Sequence, residues 1–80
     1  MRINERLQNL LAQRREAVDR FCRMAVVEQN LLEMYLEDTT DLDKYLAWHR
    51  HERWLVAALK EYRQTTDLLI TALEKRQTKR

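Results

Sequence analysis

LVAALKEYRQTTDLLITAL, residues 55–73, is the stretch from which the fold class follows. Leu55, Leu59, Tyr62, Thr66, Leu69 and Leu73 recur in it at alternating steps of four and three. A repeat of about 3.5 residues nearly matches the turn of an α-helix, so one side of the helix keeps facing one neighbour. Extended backwards, the seam takes in Glu52, Trp48 and Tyr45, with Leu42, Leu46, Val56 and Ile70 beside it. Such a helix has nothing to bury its seam against by itself. The rest of the chain, or another chain, must supply the partner.

Composition supports helices throughout. The 80 residues include no Gly and no Pro, the residues on which tight turns, bulges and sharp helix stops usually depend. Apolar residues make up 45% and charged ones 35%, a mixture that suits amphipathic helices better than disorder. At this length a chain is near the lower limit for burying a core alone. Cys22 is the only cysteine, so no intramolecular disulfide is possible and nothing asks for an oxidising compartment. No run of about 18 apolar residues is present, and the start lacks a signal-peptide core. The expectation is a cytoplasmic protein without a membrane span.

The first long pattern covers residues 4–37. Asn4 is a plausible N-cap. Leu10, Leu11, Ala17, Val18, Phe21, Met24, Ala25, Leu31, Leu32 and Tyr35 then share one broad face, wider than a two-position seam and wide enough for two neighbours. The segment FCRMAVV, from Phe21 to Val27, is apolar nearly all round and is expected to lie deepest. Arg14 and Glu28 interrupt the face. Either they select a register or partner, or they sit at the edge with their charges in water, which is the preferred expectation.

Glu37, Asp38, Thr39, Thr40 and Asp41 then form a local stop and restart, because short polar side chains compete for backbone hydrogen bonds. Thr40 reads as the cap of a second helix with Asp41 and Asp43 in its first turn. The predicted architecture is all-α and a single domain over 1–80: a helix over about 4–37, a turn at about 38–40, and a helix over about 41–78. The two form an antiparallel, coiled-coil-like hairpin, completed to a multi-helix bundle by self-association or a partner. One unbroken helix is the competitor, and the coherent caps argue against it. Folding back at Thr39 sets Phe21 near Ala57 and Leu31 near Trp48.

Trp54 is the residue most suggestive of a contact beyond the hairpin. It falls off the seam, near Ala47, His51 and Ala58, where a large aromatic among small neighbours suits an interface hot spot. The plainer alternatives are a second buried face within a homodimer and lateral packing on the neighbouring helix. His49 and His51 are two apart and point about 200° from each other, so they do not share a metal ion. The partner-binding or seam set is therefore Phe21, Met24, Leu31, Tyr35, Trp48, Trp54, Leu55, Leu59, Tyr62, Leu69 and Leu73.

Charge is segregated. Six acids and no Lys or Arg lie between Glu28 and Asp43, while Arg2, Arg6, Arg14 and Arg15 would meet Lys75, Arg76, Lys79 and Arg80 at the other end. This arrangement suits an antiparallel dimer or a charged partner. The formal net charge of +2 is too small to argue for nucleic acid. No Ser, Gly-rich loop, HExxH or CxxC is present, so the expectation is a non-enzyme with no metal and no cofactor.

The MRINERLQNLLAQRREAV opening and the DLDKYLAWHRHERWL run, in a two-helix layout, resemble the small helical chaperones and coiled-coil export components of bacterial type III secretion and flagellar systems. That resemblance, of architecture and composition, implies a cytoplasmic protein that keeps an aggregation-prone secretion subunit soluble by packing helices against it. The functional expectation is a small interaction module, an assembly factor or chaperone, partnered by itself or by a helical client. A regulatory or nucleic-acid-associated protein using the basic end, and a purely structural coiled-coil segment, are the alternatives.

Overall fold

Two helices lie side by side and antiparallel in the computed structural model, which describes residues 4–78. Helix α1 spans Glu5–Glu37 and α2 spans Leu42–Thr78. The rod measures 61 × 17 × 13 Å. Asn4 opens α1: its Oδ1 accepts from the Leu7 amide at 2.8 Å, satisfying one first-turn donor.

The turn is made by side chains instead of glycine. The Asp38 amide donates to the Tyr35 carbonyl at 3.0 Å, and the Asp41 amide donates back to the Asp38 carbonyl at 3.2 Å. Asp38 Oδ1 also accepts from the Thr40 hydroxyl at 2.6 Å and the Thr40 amide at 3.2 Å. These bonds to the charged form hold the Asp38 carboxyl below its ordinary pKa. No described residue has a positive φ, so the turn asks nothing that only Gly supplies. Asp41, not Thr40, is the second cap. Its Oδ1 accepts from the Asp43 and Lys44 amides at 3.0 and 3.3 Å, while the Thr40 hydroxyl is taken by Asp38.

The core between the helices is thin. Among the described residues Leu7, Leu10, Ala17 and Ala58 are the buried apolar ones, and most of the remaining seam is half-buried. Phe21, Met24, Leu31, Tyr35, Trp48, Leu55, Leu59, Tyr62, Thr66 and Leu69 all belong to that half-buried set. The FCRMAVV segment is not the deepest part, contrary to the sequence expectation. Val26 is 62% exposed and Cys22 and Val27 are also exposed, because a segment apolar on all sides cannot be covered by one neighbour. Depth is found instead at Ala17 and Ala58 and, towards the open end, at Leu7 and Leu10. Ala58 is an inward residue of α2, not an outer neighbour of Trp54.

The seam ends differ from the predicted pattern as well. Leu73 is 46% exposed and Ala72 faces α1 in its place, one residue being about 100° round the helix. Tyr45 is at the margin, its ring 5.4 Å from that of Tyr35. Phe21 stacks on Tyr62, ring centroids 6.4 Å apart, while Ala57 faces outward.

Candidate functional site

A two-helix rod has a covered seam, two flanks and two outer backs. In antiparallel pairing the same-lettered flank of each helix meets the other, so each side of the rod carries one flank from α1 and one from α2. What those flanks display decides what the molecule can bind.

Polar residues pin the seam between the flanks. Arg14 donates through Nε to the Thr66 hydroxyl at 3.1 Å and through a terminal nitrogen to the Tyr62 hydroxyl at 3.2 Å. Its guanidinium carbon lies 5.2 Å from the centroid of the Tyr62 ring. Arg14 is thus part of the seam, contrary to the expectation of an edge residue, because α2 offers two hydroxyls at that level. Glu28 is likewise internal to the seam: Trp48 Nε1 donates to its carboxylate at 2.8 Å. That bond, together with one from Glu52, lowers the Glu28 pKa, whereas the bond to Glu28 raises that of Glu52. The two carboxyls thus meet across the seam, the contact favouring the charged form of Glu28 and the neutral form of Glu52. His51 Nε2 donates to the Met24 carbonyl at 2.9 Å, so this histidine is held against α1.

One flank holds Val27 and Met34 from α1 and Ala47 and Trp54 from α2. Trp54 is 61% exposed. Its ring borders an open recess of about 310 Å³ lined also by Met24, Leu31, Ala47, Arg50 and His51. Apolar exposure on this side is greatest towards the turn, with Leu68 also exposed nearer the open end. Nearer the open end the same flank carries the Arg20–Glu61 ion pair, which is surface-exposed and adds little stability.

The opposite flank is apolar along most of its length. Leu11, Val18, Ala25 and Leu32 supply it from α1, with Cys22 beside them. Leu42, Val56 and Ile70 supply it from α2, and all three are exposed. An open recess of about 500 Å³ runs along it past Leu11, Arg15, Val18 and Cys22. The sequence placed Val56 and Ile70 only as neighbours of the α2 seam. It did not join them to the α1 face, since that pairing depends on which sides of the two helices meet.

At the open end, Arg6, Lys75 and Arg76 border a recess of about 390 Å³ with Asn4, Leu7 and Ala72. Arg2, Lys79 and Arg80, counted into the basic end from sequence, lie outside the described residues. Among the described residues no group of three or more His, Cys, Asp or Glu side chains is placed to hold a metal ion. No described helix is long and apolar enough to cross a membrane. No known protein family, curated protein or solved structure matches the chain.

Proposed function

We propose that this hairpin is a protein–protein interaction module that works by binding alone, as an assembly factor or chaperone for a helical client. The observation that carries the reading is the imbalance of its apolar surface. Among the described residues thirteen large hydrophobics are exposed while four apolar residues are buried. Scattered exposed apolar side chains are ordinary, but here most of them line the flanks of a rod. A client helix laid beside Trp54 would present apolar residues at steps of three and four, and its side chains would enter the recess between Met24, Leu31 and Ala47. Trp54 is the natural anchor, a rigid aromatic at the centre of that patch. The likeness in layout and composition to secretion and flagellar export chaperones supports a client of that class, an export subunit held soluble until it assembles.

The test is co-purification from the native host of the wild-type chain and a Trp54→Glu variant. Wild type should retain a helical partner that the variant loses, with the variant's helicity unchanged. Equal recovery of the same partner by both proteins would remove Trp54 from the binding face. Recovery of no partner by the wild type would count against the client altogether.

A further inference from the structure

We propose that the flank formed by Leu11, Val18, Cys22, Val56 and Ile70 packs against the same flank of a second copy, in antiparallel orientation, as a four-helix bundle. The inference rests on the reading of the chain as a helical interaction module, and adds which face pairs, with what and in which direction.

The surface calls for such a partner. Its accessible area is 6708 Å², whereas a folded monomer of 9.8 kDa has about 5,200 Å². A rod face 61 Å long and 17 Å wide offers a footprint on the order of 1,000 Å² per partner, against roughly 800 Å² in a standard specific interface.

Symmetry then selects the copy. Cys22 and Val56 stand at nearly equal distances from the turn, close to the middle of the rod. A two-fold axis there, lying in the face and across the rod, places each helix antiparallel on its own mate. Leu11 then lies opposite Leu32 of the second copy, and Val18 opposite its Ala25. On α2, Leu42 lies opposite Ile70 of the second copy and Val56 opposite Val56. Apolar meets apolar along much of both helices, with Arg15 opposite Gln29, His49 opposite Arg63 and Glu52 opposite Leu59 as polar interruptions. The Trp54 flank offers no equivalent pairing: in either neighbouring register a two-fold axis there lays Val27 on Gln13 or Arg20 and Met34 on Arg6 or Gln13.

Charge fixes the direction. Glu33, Glu37, Asp38, Asp41 and Asp43 crowd the turn end, and Arg6, Arg15, Lys75 and Arg76 the open end. Antiparallel copies lay each acidic end on a basic one, while parallel copies would bring the two acidic ends together. A parallel pair would also stack α1 on α2 and separate the two Cys22 residues by the width of a helix.

The full chain is tested in three arms. Under reducing conditions, light scattering after gel filtration at tens of micromolar should give twice the chain mass. Copper-phenanthroline should then join Cys22 to Cys22, the two thiols giving two electrons to the oxidant and two protons to solvent. Val56→Glu sets two glutamates at the axis; it should raise the dimer dissociation constant by about 100-fold or more and abolish the cross-link, with helicity retained. A monomer in the first arm overturns the inference, as does a dimer that neither cross-links nor responds to Val56→Glu. A dimer broken by Trp54→Glu but not by Val56→Glu also overturns it, while leaving the interaction-module reading standing. Loss of partner by Trp54→Glu from a dimer that stays intact supports both.

Discussion

Ala58 is among the most covered residues of the rod, and enlarging it tests the packing most sharply. It is 4% exposed and faces α1. The Arg14–Tyr62 hydrogen bond and the Arg20–Glu61 pair lie on its open-end side, and the His51–Met24 hydrogen bond on its turn side. Ala58→Leu adds three carbons where α2 presents a single covered methyl group. Helix axes separate by about 8 Å over small residues and nearer 10 Å over large ones, so the helices must part or the new side chain must leave its rotamer. Overpacking of this kind costs about 1–3 kcal/mol. Parting the helices would also stretch the Arg14 bonds to Tyr62 and Thr66, so about 2 kcal/mol is the working figure. For a chain of this size that corresponds to a fall of roughly 10 °C in Tm. Ala57→Leu is the control, one residue away and exposed, with an expected change within about 0.5 kcal/mol. Urea titrations and circular-dichroism melts of both variants decide the matter. Equal losses from the two, or a stabilised Ala58→Leu protein, would refute the covered placement of Ala58.

Phe21→Ala should cost about 2 kcal/mol in urea titration, less than a fully buried phenylalanine because the ring is only half covered and stacks on Tyr62; a loss under about 0.5 kcal/mol would take it out of the core. Glu52→Gln should alter the pH dependence of melting. The raised Glu52 pKa contributes stability below the ordinary glutamate value that is lost as pH rises through the folded one, and the lowered Glu28 pKa contributes stability above the ordinary value that is lost as pH falls through its own folded one. Wild type is therefore best served between the two, and the Glu52 contribution is the one lost on the alkaline side. The glutamine variant should melt higher than wild type at about pH 7 and close to it at about pH 4.5, the ordinary glutamate range; identical profiles would mean that the two carboxyls do not interact. Trp48→Ala should lower Tm clearly, since it removes both a half-buried ring and the donor to Glu28, and an unchanged melt would contradict that placement.

The hairpin and its seam were legible because they depend on local signals: a repeat near 3.5 residues, an Asn cap, and acids and threonines at the turn. Asp41 displaced Thr40 as the cap because two neighbouring polar side chains competed and Asp38 captured the threonine hydroxyl. Arg14 and Glu28 were misread as edge residues because hydropathy assigns a charge to water. Their place in the seam depends on Tyr62, Thr66 and Trp48, far away in sequence. Ala58 was assigned to the outer face because the seam was phased on Leu55 and Leu59, whereas α2 turns Ala58 towards α1. The exposure of Trp54 could be read from its phase on the helix. The second flank could not be assembled so early, since joining Cys22 to Val56 requires knowing which sides of α1 and α2 face each other.

Melting across a range of protein concentrations tests most directly whether this thin core is half of a larger one. If the exposed flanks are covered by a second copy, folding and assembly are linked and the midpoint rises with concentration. A 100-fold increase, from about 5 to about 500 µM, should raise Tm by roughly 8 °C for a two-chain unit of this length. A Tm constant within about 1 °C over that range, with a monomer's mass throughout, would show that the hairpin stands alone on the residues it already buries.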